Sequence, residues 1–205
     1  MLDFFLDAYK DATPARIILE FIAFVFGILS VIYARKENIL VYPTGLIATI
    51  ITTYLLWLAG YLGDMMINLY FSVMSIYGWW NWARKRGNQK ELPITRTDFK
   101  EKIIGIILFL VTIIVVFAIY TFFDYEIKKE NYVDIMASGI FFTGMWYMAH
   151  KKIENWTLWI IGDIIVTPIY AYRGLGMLSL QYLIFTVLAI LAYLEWRRIL
   201  QQKIA

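Results

Sequence analysis

The chain has 205 residues, 61% of them hydrophobic and 18% aromatic, with a formal net charge of +3. Its charges crowd into short clusters between long uncharged runs, which excludes a soluble globular domain and leaves an all-α polytopic membrane protein. There is no cysteine and a single histidine, which removes disulfides and thiolate chemistry and leaves metal catalysis little to work with.

The opening residues, MLDFFLDAYKDATPAR, are acidic and amphipathic and lack the basic-then-apolar pattern of a cleaved signal peptide. Residues 1–16 are expected to form an interfacial N-terminal segment. Seven spans follow, at 17–33, 39–57, 61–82, 103–123, 133–149, 156–172 and 177–196. The clearest, 103–123, holds 21 residues without a charge, long enough to cross a hydrocarbon core. The second and sixth carry Pro43 and Pro168, tolerated where neighbouring groups satisfy the freed backbone.

Charge orients the spans. With seven of them, the loops holding Arg35 and Lys36, Arg84 to Lys102, and Lys151 and Lys152 share one side with the tail. That side collects 14 of the 19 Lys and Arg residues. The positive-inside rule therefore places the C-terminus in the cytoplasm and the N-terminus outside. The net positive charge is explained by orientation, with no nucleic acid needed.

The chain also repeats itself weakly. GILSVIYARKEN (27–38) lies over GMWYMAHKKIEN (144–155) at an offset of 117, pairing Gly27 with Gly144, Glu37 with Glu154 and Asn38 with Asn155. Tyr42 then pairs with Trp159 and Gly45 with Gly162; after a three-residue deletion, Phe71 meets Phe185 and Trp82 meets Trp196. A three-helix unit ends on the opposite side from its start, so repeating it in the same orientation needs one more crossing. The uncharged fourth span supplies it, predicting 3+1+3 parallel repeats: 17–82, a loop and linker over 83–132, 133–196, and a cytoplasmic tail over 197–205. In transporters with such repeats the site lies near mid-membrane between the halves.

The sixth span, ENWTLWIIGDIIVTPIYAY (154–172), holds one buried-depth carboxylate, Asp163, seven residues from Trp156. At about 1.5 Å per residue that is about 10 Å along the helix, and a charge there is costly unless answered. Trp156, Trp159, Asp163, Thr167 and Tyr170 form one stripe at helical spacing. Trp156 reads equally as an interfacial belt residue or a pocket wall; Asp163 is too deep for a belt. The third span has a similar face with Asp64, Asn68, Phe71, Ser75, Trp79 and Trp82, ending in YGWWNW (77–82). Trp79 and Trp80 point about 100° apart, and Trp79 is expected to face inward. The last span adds Gln181, Tyr182 and Phe185, and the second adds Tyr42, Thr49 and Thr52, although threonines in spans often bond their own helix. Glu20 lies near an outer end and can snorkel. Aromatic faces with one carboxylate suit an organic cation, which ring quadrupoles attract and the carboxylate neutralises.

At these residues the sequence resembles the PnuC family of vitamin transporters, which have a SWEET-like fold. The points of likeness are NILVYPTG (38–45), YGWWNW, ENWTLWIIGD (154–163) with its Trp-x-x-Trp at Trp156 and Trp159, and the closing EWRR (195–198). Near Ala192 the family pattern would have a glycine. The resemblance implies a bacterial inner-membrane protein that imports nicotinamide riboside by facilitated diffusion. Trapping by cytoplasmic phosphorylation would follow, so that transport depends on a kinase it need not touch. Related members carry thiamine or are assigned to riboflavin. Nicotinamide riboside and thiamine are both aromatic cations, and the residues do not choose between them; neutral flavin leaves Asp163 harder to explain. The resemblance also implies a homotrimer and no cofactor.

Two other classes fit worse. GYLGD (60–64) and IIGD (160–163) approach the Gly-x-Gly-Asp of intramembrane aspartyl proteases, but neither has the first glycine in register. A retinal photoreceptor needs a lysine in the last span, and 177–196 has none.

Overall fold

The computed structural model describes residues 13–58, 62–84, 92–122, 129–173 and 176–202. Most of the expected N-terminal segment and the end of the tail lie outside them, as does the side chain of Asp64. The described residues form seven α-helices: α1 (Pro14–Arg35), α2 (Val41–Leu58), α3 (Leu62–Ala83), α4 (Phe99–Phe122), α5 (Lys129–Ala149), α6 (Glu154–Tyr172) and α7 (Gly176–Gln202). Thr13 caps α1, its hydroxyl accepting from Arg16 N at 3.4 Å, and Pro14 follows where its missing N–H costs nothing.

Four helices, α1, α2, α4 and α7, are long and apolar enough to cross a membrane by length and composition. The other three hold their polar residues inward. Ser72, Ser75 and Asn81 on α3, Ser138 and Thr143 on α5, and Asn155 and Asp163 on α6 are all buried. Their lower hydropathy follows from facing protein rather than lipid.

In space α1 packs on α2, α2 on α3, α3 on α5, α5 on α6, α6 on α7, and α7 back on α1. Six helices thus close a ring, and α4 lies outside it against α5, presenting exposed Ile106, Leu110 and Ile114. Helices in a bilayer gain little from apolar burial against each other, so close fit and hydrogen bonds decide the contacts. Two glycines show the fit. A Cβ at Gly78 would overlap the Tyr42 ring, and one at Gly162 would overlap Phe141.

The turns joining α1 to α2 and α5 to α6 are built alike. Asn38 N donates to Tyr33 O and Lys152 N to Tyr147 O, each closing a helix end with a residue of positive φ just before it, Glu37 at 54° and Lys151 at 50°. Val41 N to Asn38 O matches Asn155 N to Lys152 O, and Tyr42 N to Ile39 O matches Trp156 N to Ile153 O. The spacing between these turns is 151 − 37 = 114. The two turns thus match at 114 rather than at the 117 read from the sequence, which sets Tyr42 against Trp156 rather than Trp159. Both are buried, and both meet at one end of the bundle, where Arg35, Arg84, Lys151 and Lys152 also lie.

At this basic end the core is aromatic. Tyr42 meets Trp82 edge-on at 5.1 Å between centroids, and Trp156 meets Trp196 edge-on at 5.4 Å. Two indoles tie the ring shut: Trp82 Nε1 donates to Met148 O at 3.3 Å and Trp196 Nε1 to Arg35 O at 3.1 Å. Ala192, where a glycine was expected, is fully buried against this cluster, so a methyl group is accommodated there.

Candidate functional site

The ring encloses a second, mid-bundle cluster centred on α6. Trp159, Asp163, Val166 and Tyr170 recur at intervals of four, three and four, which puts them on one helical face. Trp159 stacks on Phe141 at 5.3 Å and tilts against Phe71 at 6.0 Å. Tyr182 stacks on Tyr170 at 5.2 Å and lies 6.1 Å from Phe141. Phe142 lies 6.2 Å from Phe71 and stacks on Tyr70 at 3.7 Å, while the Tyr70 hydroxyl donates to Phe142 O at 3.2 Å. Four helices, α3, α5, α6 and α7, therefore contribute rings to one group.

The polar atoms of this group are few and poorly satisfied. Asp163 is 1% exposed, its Oδ1 has no hydrogen-bond partner, and no ion pair reaches it among the described residues. One turn away, the indole N–H of Trp159 is likewise buried without an acceptor. A buried carboxylate and a buried donor left open on the same face are expensive unless a ligand meets them.

The structure sorts the expected site residues. It brings Phe71, Trp159 and Tyr182 together, with Asp163 on the same α6 face. Asn68 is half-buried one turn before Phe71. Three of the expected residues lie outside this group. Tyr42 and Trp156 belong to the basic-end cluster, because the turns before them place both at the starts of their helices. Trp79 is 41% exposed; the inward tryptophan of YGWWNW is Trp82, which follows the buried stripe of Ser75 and Gly78. The remaining polar residues mostly bind protein. Thr167 donates to Asp163 O at 2.6 Å, within its own helix. Thr49 donates to Leu46 O at 3.2 Å and accepts from Ser72 at 2.8 Å, joining α2 to α3. Ser75 is buried facing Gly45, and Gln181 lies beside Gly27, so both sit at helix contacts. Phe141, Phe142 and Tyr70 escaped the sequence reading. The signal was the run GIFFTG (139–144), in which two rings sit between glycines on a span poor in long aliphatic side chains.

A groove of about 500 Å³ lies elsewhere, between α2 and α3, and its lining by exposed Ile50, Tyr54, Trp57 and Leu69 makes it part of the outer surface.

The family profile described as nicotinamide mononucleotide transporter matches residues 17–198. The chain belongs to this family. It is a family of membrane transporters, which agrees with four helices fit to cross a bilayer and with a closed helical ring. Among its relatives are the nicotinamide riboside transporters PnuC of Escherichia coli (strain K12) and Shigella flexneri. Each is 25% identical over 201 residues, covering 87% of this chain and 84% of the relative. A crystal structure of the vitamin B3 transporter PnuC superposes with a TM-score of 0.72 at 19% identity, over 98% of this chain and 90% of that one. That likeness establishes the fold.

Proposed function

We propose that the protein imports nicotinamide riboside by facilitated diffusion, binding it at the mid-bundle aromatic group with Asp163 as counter-charge. The observation that carries this reading is the unpartnered, buried carboxylate of Asp163 one turn from the open indole N–H of Trp159. A pyridinium held among Trp159, Phe71, Phe141 and Tyr182 would gain ring-quadrupole attraction, strongest where water is excluded. The riboside's hydroxyls and amide would supply partners for the open polar atoms. The nicotinamide riboside transporters of Escherichia coli and Shigella flexneri among its relatives support the same substrate. Thiamine, also an aromatic cation, is the alternative.

The same reading includes 3+1+3 parallel repeats. The ring order maps α1, α2 and α3 onto α5, α6 and α7, and burial recurs at 114: Ala23 with Ala137, Tyr42 with Trp156, Ser75 with Ala189, Trp82 with Trp196. In that register Thr49 stands opposite Asp163, so a symmetric scaffold carries an asymmetric site. We place the N-terminus outside and the C-terminus in the cytoplasm of a bacterial inner membrane. The protein acts as a homotrimeric uniporter whose substrate is trapped by a cytoplasmic kinase. The test is ligand binding to purified protein with nicotinamide riboside, thiamine and riboflavin side by side. Nicotinamide riboside is expected to bind tightest and riboflavin not to bind; preference for riboflavin would remove Asp163 as counter-charge.

A further inference from the structure

We propose that Lys151 and Glu37 form the latch of a gate at the basic end, a pair that must part for substrate to pass there; this rests on the transporter reading above. Lys151 belongs to the α5–α6 turn and Glu37 to the α1–α2 turn, so the pair joins the first three helices to the last three. Lys151 Nζ lies 3.1 Å from Glu37 Oε2 and 4.4 Å from the centroid of the Trp82 ring. The lysine side chain is 3% exposed.

Both residues sit where their turns demand positive φ, at 54° and 50°. Glycine is the usual occupant of that position because a Cβ strains it. Two matching turns each forgo glycine, and the two side chains so retained are the ones that meet. Backbone strain held at paired positions points to use rather than to stability.

The energetics favour a switch. A buried ion pair about breaks even against the hydration its members give up, and the Trp82 face adds a cation–π contact. Parting therefore costs little net, since both charges regain water, while the closed geometry is well defined.

What the latch holds is visible around it. Residues 92–98 run across the basic end as a strap, with Leu92 and Ile94 buried against Trp82, Trp156 and Trp196. Thr95 N donates to Lys151 O at 3.1 Å, Ile153 N to Thr95 O at 3.0 Å, and Thr97 N to Glu154 Oε2 at 3.0 Å. Strap and lysine thus form one unit with the α5–α6 turn, closing onto the other half through Glu37. Arg35 with Glu195, Asn81 with Ala149 O, and the two indole bonds also cross between the halves at this end. At the opposite end the ion pairs among the described residues, Arg16 with Glu20 and Arg173 with Asp134, stay within one half. Within the seal, the Tyr42 hydroxyl and Trp156 N–H are buried without partners, a cost that opening would relieve.

The absence of native cysteine makes a direct test simple. Ala189→Cys is a small change at a buried position of the basic-end cluster, seven residues or about 10 Å along α7 from Trp196. In vesicles with the basic end outward, its labelling by a membrane-impermeant maleimide reports opening of that end. Lys151→Met and Glu37→Gln are each expected to speed labelling at least five-fold. The double variant should be no faster than the faster single, because each change removes the same contact. If Lys151→Met does not fold, Glu37→Gln, with its side chain at the rim, carries the test alone. Labelling at the parent rate in folded variants, or additive acceleration in the double, would overturn the latch. The readout needs no substrate, so failure here leaves the transporter reading standing, and failure of riboside binding leaves this measurement interpretable.

Discussion

Asp163 and Trp159 owe their prominence to different signals. The aspartate was legible as the lone acid in a long apolar span, because a charge at that depth must be answered. The tryptophan was legible through its helical spacing from the aspartate. Phe141 and Phe142 were not, since rings without charge or period look like any membrane-facing residues until a neighbouring helix packs on them. Trp79 lies on the exposed side, since three indoles in four residues leave the inward one undetermined by sequence; packing of Tyr42 on Gly78 turns Trp82 inward. If Trp159 contributes through its ring quadrupole, Trp159→Phe should weaken binding of nicotinamide riboside less than Trp159→Ala, by titration calorimetry on folded protein. Equal losses would assign the residue to shape alone.

At the scale of elements, close approach explains most of the ring. The α2–α3 contact depends on Gly78, and Gly78→Ala drives a methyl group into the Tyr42 ring. Overpacking of this kind costs about 1–3 kcal/mol, so a lowered melting temperature in detergent is expected; an unchanged one would mean that Tyr42 moves aside freely. The repeat register shows where reading by identity stops. Glu37 with Glu154 and Asn38 with Asn155 match at 117, yet the bonds and φ angles of the turns match at 114. Helix-end geometry is set by hydrogen bonds and one residue of positive φ. Because those residues are glutamate and lysine rather than glycine, nothing in the sequence marks them. The positions of the helices were legible because hydropathy and charge mark them directly. The strap over 92–98 was not, because its buried residues are few and its bonds reach a turn more than fifty residues on.

At the scale of the whole molecule, the described residues form seven helices, with α4 outside a six-membered ring, an odd number as the proposed topology requires. Single cysteines at Gly87 and Lys129 should label from opposite sides in intact cells and inverted vesicles; same-side labelling would remove the proposed topology. Uptake into liposomes should stop at equal concentrations and ignore imposed sodium or proton gradients, whereas accumulation driven by either gradient would contradict uniport. The central claim is that a buried carboxylate within an aromatic group neutralises a bound cation. It is tested most directly by measuring, on one preparation of Asp163→Asn, both affinity for nicotinamide riboside and melting temperature. A partly desolvated cation contact is worth about 1–2 kcal/mol, and each 1.4 kcal/mol is tenfold in affinity. A loss of about ten-fold with little change in melting temperature is therefore expected. Unchanged affinity with a lowered melting temperature would make Asp163 a structural residue and contradict the account.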